Sequence, residues 1–146
     1  MSGYSGTPLP RKLGLKDGQR AAFAGLPPEL SDLARAAAFA SVETKKHWRD
    51  VSGEALDYIH LFTDSAAELD WATPALRSRM RPEGMFWVSW PKRASKRPTD
   101  VTEDVIRARA LADVLVDVKV CAVDETWSAL KLMIRKEHRA ELAIGD

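Results

Sequence analysis

Ala55-Leu56-Asp57-Tyr58-Ile59-His60-Leu61-Phe62-Thr63 is the stretch on which the fold turns. Apolar residues fall on both of its alternating faces. A strand of that kind is covered on both sides, as in a parallel sheet held between layers of helix. Met85 to Trp90 is a second such run, stopped by Pro91. Between the two, Ser65 with Glu68 three residues on forms a capping box. The helix it opens carries Leu69, Leu76 and Met80 on one face. Pro74 lies inside that helix and predicts a split, with Thr73 as a new N-cap. Pro82-Glu83-Gly84 reads as a turn.

Toward the N-terminus, Gln19 to Gly25 reads as a first strand, entered from the turn signal Lys16-Asp17-Gly18 and closed by Leu26-Pro27-Pro28. Pro28 suits the first turn of a helix through about Arg35. Ala36 to Glu43 fits either more helix or a second strand and is read as strand; Thr44 to Glu54 is polar and breaks the pattern. Toward the C-terminus, Lys92 to Thr99 is a basic loop. Asp100 with Glu103 predicts a helix to about Ala112. Leu115–Val123 and Thr126–Lys136 read as strands joined at Asp124-Glu125, a link that permits a hairpin but no parallel crossover.

The layout is therefore α/β, a mostly parallel sheet flanked by helices with a C-terminal antiparallel hairpin. Residues 1–10 are expected to form a loose arm, docked through Tyr4 and Leu9, residues 11–136 a single domain and residues 137–146 a charged tail. With 22 basic and 21 acidic residues the net charge is +1, which gives no global pull toward nucleic acid or an anionic membrane. One cysteine, Cys121, excludes an intrachain disulfide. No run has the length and apolarity of a signal-peptide core or a spanning helix, so the expected place is the cytoplasm.

Several segments resemble the family called domain of unknown function 3052. They are Gly3 to Leu9 with Lys12-Leu13-Gly14, Trp90-Pro91-Lys92, Thr99-Asp100 with Thr102 to Val105, and Val116 to Ser128. That family's name brings no activity with it. The layout also resembles class I methyltransferase folds. Lys12 to Gly25 is similar to their entry helix and first strand, Asp57 to Thr63 to their fourth strand, Met80 to Trp90 to their turn and fifth strand, and the hairpin to their last two strands. The resemblance implies a reduced, Rossmann-like scaffold; fold by itself does not imply function.

Candidate sites follow from that scaffold. Nucleotide-binding loops after a first strand use several glycines so that backbone N–H groups can approach the ligand. Here Gly25 stands alone, and Pro27 and Pro28 remove two donors. Glu43, 18 residues beyond Gly25, falls near where such folds place an acid for ribose hydroxyls, and Asp64 at the end of the central strand completes a candidate cofactor set. Lys92, Arg93, Ser95 and Lys96, ahead of a helix, form a candidate site for a phosphate or carboxylate. The loop lacks interleaved aromatics, which argues against nucleic acid. His47, His60 and His138 show no metal-ligand spacing. His60 reads as a core histidine, Cys121 has no local activating partner, and no catalytic residue is assigned.

The leading expectation is thus a non-enzymatic binding or regulatory domain without a cofactor, its partner a small anionic ligand or another protein. The alternatives are an S-adenosylmethionine-dependent methyltransferase with an atypical cofactor loop, and a structural interaction domain that uses the hairpin.

Overall fold

The computed structural model describes residues 8–144. Six strands form one sheet: β1 (Arg20–Ala24), β2 (Ser41–Lys45), β3 (Leu56–Phe62), β4 (Met80–Pro91), β5 (Leu115–Ala122) and β6 (Trp127–Ile134). Their spatial order is β2-β1-β3-β4-β6-β5. The first four run parallel, and β6 pairs antiparallel with both β4 and β5. Among the described residues the helices are α1 (Leu9–Lys12), α2 (Ala66–Arg77), α3 (Glu103–Ala112) and α4 (Lys136–Ile144), with 3-10 helices at Pro28–Arg35, Trp48–Asp50 and Arg93–Ser95. Among the described residues no helix is long and apolar enough to cross a membrane.

The period of two along the strands sorts the core into two layers. Ala22, Ile59, Leu61, Phe86, Val88, Leu130 and Leu132 pack with Leu69, Ala72 and Leu76 of α2 and Ile106 and Ala110 of α3. On the opposite face Phe23, Tyr58, Trp87, Trp127 and Ala129 pack with Leu13, Leu15 and Leu33, and Leu9 adds to that layer. Both faces of β3 are therefore dry, which is why its sequence is apolar throughout.

Several local expectations yield to tertiary contacts. Ala36–Ala40 is not strand, because it is tied to the turn before β1. The Ala38 N–H donates to the Asp17 carboxylate at 2.8 Å, and the Ala40 N–H to the Gln19 carbonyl at 2.9 Å. Pro28–Arg35 is a 3-10 helix. Pro74 does not split α2: Pro74 and Asp70 face solvent, where a released carbonyl meets water, while Leu69, Ala72, Thr73 and Leu76 hold the other side on the sheet. Thr73 is buried in mid-helix, and its hydroxyl donates to the Leu69 carbonyl at 2.7 Å. Pro82-Glu83-Gly84 is no turn but a bulge within β4, opposite Leu56–Tyr58. Helix α3 is capped by Thr102, since Asp100 is spent on the N–H of Ala66 at 2.7 Å. A register shift at Asp117–Lys119 leaves Val118 and Val120 half exposed on the edge strand.

Candidate functional site at the strand ends

The chain leaves β1 toward β2 on one side and later enters β3 on the other. The carboxyl ends of β1 and β3 therefore flank the topological switch point, where open α/β sheets hold ligands. Gly25 makes the turn off β1 with φ +73°, and its N–H donates to the Lys45 carbonyl at 2.8 Å. A Cβ there would stand 2.8 Å from the Phe62 carbonyl oxygen. Only glycine meets both the left-handed backbone and the close approach.

Beyond Phe62 the chain turns into α2. The Thr63 N–H donates to the Ser89 carbonyl at 3.0 Å, and its hydroxyl donates to the Glu68 carboxylate. The Ser65 hydroxyl accepts the Glu68 N–H at 3.1 Å. The capping serine is thus in place, but the Glu68 side chain reaches Thr63 instead of closing the box.

A cleft of about 340 Å³ opens over these strand ends. Gly25, Phe62 and Thr63 lie at its base, and Trp127, at the start of β6, lines it as well. Its charged lining consists of Glu29, Asp64 and Glu68 against Lys46 and Arg97, so carboxylates outnumber cations. The Arg97 guanidinium lies 5.0 Å over the Trp127 ring and 3.9 Å from the Asp64 carboxylate.

The structure brings Gly25 and Asp64 together in this cleft but not Glu43. The Glu43 carboxylate accepts the N–H groups of Ser52 at 3.0 Å and Gly53 at 2.7 Å. The cause is the later start of β2: Glu43 is its middle residue, and the strand ends at Lys45, so Lys46 rather than an acid stands at the rim. Lys92, Arg93, Ser95 and Lys96 lie outside the lining. Ser95 locks its own turn, donating to the Lys92 carbonyl at 2.7 Å and accepting the Arg97 N–H at 3.3 Å. Arg97, the last cation of that loop, is the one that reaches the cleft. Glu68 and Trp127 also line it, although the sequence placed the first only in a capping box and the second only at the start of the last strand.

Two other groups with chemical potential are built into the core. His60 is fully buried, with Nδ1 2.9 Å from the Tyr58 hydroxyl and Nε2 2.7 Å from the Ser89 hydroxyl. Burial pushes its pKa down to about 3, which makes it a neutral imidazole. Burial also pushes the Cys121 thiol up, against the pull of Lys12 and Lys119, so it is a poor nucleophile. Among the described residues no group of three His, Cys, Asp or Glu side chains is placed to hold a metal ion.

The sheet order and the C-terminal hairpin define a Rossmann-like α/β fold, one that solved methyltransferase structures share. Magnesium protoporphyrin IX methyltransferase from Synechocystis PCC 6803, with bound SAH, matches at TM-score 0.60 and 14% identity over 82% of this chain and 75% of that one. A SAM-dependent methyltransferase from Aquifex aeolicus matches at TM-score 0.60 and 14% identity over 86% and 87% of the two chains. The tRNA methyltransferase TrmK from B. subtilis matches at TM-score 0.60 and 10% identity over 90% and 66%. No family model matches the chain, and no curated protein matches it in sequence.

These neighbours overturn the leading expectation. The expectation of a non-enzymatic domain without a cofactor gives way, because the neighbours named above are methyltransferases and two of the matched structures contain SAH or SAM.

Proposed function

We propose that the protein is an S-adenosylmethionine-dependent methyltransferase that binds its cofactor in the cleft above β1 and β3. The observation that carries this reading is the cleft itself: an open site at the switch point, floored by a glycine that admits no side chain and lined with an excess of carboxylates. S-adenosylmethionine carries a sulfonium and an ammonium against one carboxylate, so its net charge is positive and the acidic lining fits it. Asp64 and Glu68 would hold the cationic groups and Lys46 the carboxylate. The loop after β1 offers fewer backbone donors than a glycine-rich loop, since Pro27 and Pro28 have none.

When bound, the cofactor supplies an electrophilic methyl group. The protein's part is then to orient the acceptor and exclude water, a task of proximity rather than of a protein nucleophile. Phe62 and Trp127, 5.3 Å apart and edge to face, give the cleft an apolar wall for that purpose. Within this reading we keep the resemblance of Val116–Ser128 to domain of unknown function 3052, a single working domain over residues 11–136, and a cytoplasmic location.

A thermal melt with S-adenosylmethionine and with its demethylated product tests the assignment. Both should raise the melting temperature of the native chain, and Asp64→Asn with Glu68→Gln should reduce the shift. No shift with either compound at millimolar concentration contradicts the assignment.

A further inference from the structure

The indole N–H of Trp127 is the one buried side-chain polar group without a hydrogen-bond partner among the described residues. Trp127 is 4% exposed and still lines the cleft. A buried donor left unpaired is costly, and such groups in folded proteins call for an explanation, a missing partner foremost. Trp87 shows the usual arrangement: its indole N–H donates to the Leu13 carbonyl at 2.8 Å.

The Trp127 ring is held in place. It stands edge to face against Phe62, and its backbone N–H donates to the Asp124 carboxylate at 2.7 Å. Across the sheet it pairs with Pro91. Beside it lies Arg97, whose contact with Asp64 is long and exposed on both sides. An ion pair of that kind contributes little, and among the described residues the guanidinium makes no hydrogen bond, so its donors are open to another acceptor. The loop that carries Arg97 is pinned next to Trp127 by the Lys92 N–H, which donates to the Thr126 carbonyl at 2.7 Å. The same loop brings Lys92, Arg93 and Lys96 to this end of the sheet.

Two of the nearby carboxylates already have donors. Asp124 accepts the backbone N–H groups of Thr126 and Trp127, and Glu68 accepts from Thr63. Among the described residues Asp64 is the carboxylate that Arg97 contacts, and Glu29 lines the same cleft. The cleft therefore holds the carboxylates of Glu29, Asp64 and Glu68 together with donors at Trp127 and Arg97.

We propose that the methyl acceptor is anchored through an anionic group, a carboxylate or a phosphate, that accepts from the Trp127 indole N–H and the Arg97 guanidinium together. Arg97, which lies over the face of the indole, turns from Asp64 to the incoming anion and shifts off the ring as it does so. A planar guanidinium that can move beside a fixed N–H suits two oxygens of one group. The assignment of this ligand as the acceptor rests on the methyltransferase reading; the anion site itself does not.

The test follows the indole N–H resonances of the full-length, nitrogen-15-labelled chain, with Trp127 assigned by triple-resonance experiments. Benzoate, phenyl phosphate and the neutral benzamide are titrated in turn, and S-adenosylmethionine binding is measured separately. The expected result is a saturable downfield shift of the Trp127 indole proton with benzoate or phenyl phosphate and none with benzamide. The stronger of the two anions identifies the group. Arg97→Gln should weaken that binding on the order of tenfold. Trp127→Phe, which keeps the packing on Phe62, should do the same if it folds. An equal response to benzamide, an unchanged affinity in Arg97→Gln, or no shift with either anion overturns the proposal. If S-adenosylmethionine binds while no anion moves Trp127, this inference falls and the methyltransferase reading stands; the reverse pattern keeps the anion site and removes that reading.

Discussion

The carbonyl oxygen of Phe62 lies 2.8 Å from the point where a Cβ on Gly25 would sit, so the ends of β1 and β3 approach as closely as the backbone allows. That approach sets the floor of the cleft. Gly25→Ala meets both the carbonyl and the positive φ. The variant should lose about 1–3 kcal/mol of stability, read as a lower urea midpoint. Its affinity for S-adenosylmethionine should fall with it. A variant as stable as the native chain would mean that the strand ends are not held this closely.

Glu43 separates two accounts of the same residue. If its carboxylate serves the Ser52–Gly53 loop, Glu43→Ala leaves two backbone N–H groups without their acceptor. Water can reach both groups, so the cost should be about 0.5–1.5 kcal/mol, with S-adenosylmethionine binding retained once melting is taken into account. Loss of binding without loss of stability would return Glu43 to the cofactor.

His60 predicts a pH dependence with a definite sign. Its folded pKa is about 3, below its ordinary value of 6.5, so the unfolded chain takes up the proton first as pH falls. Its contribution to stability is therefore unchanged above about pH 6.5 and declines from there toward pH 3, by up to about 1.4 kcal/mol per pH unit. Denaturation midpoints at pH 7, 6, 5 and 4 should fall more steeply in the native chain than in His60→Gln. Parallel curves would show that the imidazole is not buried and neutral.

Trp87 gives a prediction about the N-terminal side of the core. Its indole N–H holds the Leu13 carbonyl beneath the sheet at 2.8 Å. Trp87→Phe opens space and leaves that carbonyl unpaired, and it should destabilise by about 2–4 kcal/mol. Wild-type stability in this variant would contradict the docking of Leu13 on this face.

The strands were readable because burial is written locally. Ile59, Leu61, Phe86 and Val88 fill one layer, and Tyr58 and Trp87 the other, so both faces of the runs are apolar. The hairpin was readable because Asp124-Glu125 leaves no room for a crossover. Pro74 and Pro82 misled because their cost depends on whether the displaced carbonyl faces water or a bulge, which the sequence does not carry. Of the cleft's lining, Gly25 and Asp64 could be placed from their positions at strand ends. Glu43 was misplaced by a shift in where β2 begins. Arg97 and Trp127 were hidden because they meet only when the loop after β4 is pinned to the start of β6.

The most direct measurement is a titration of S-adenosylmethionine into the full-length chain, followed by calorimetry and by backbone amide shifts. The account predicts saturable one-site binding, with the largest changes at Gly25, Thr63, Asp64 and Glu68. No heat and no shift changes at millimolar ligand, or saturable changes confined to another face of the sheet, would contradict it.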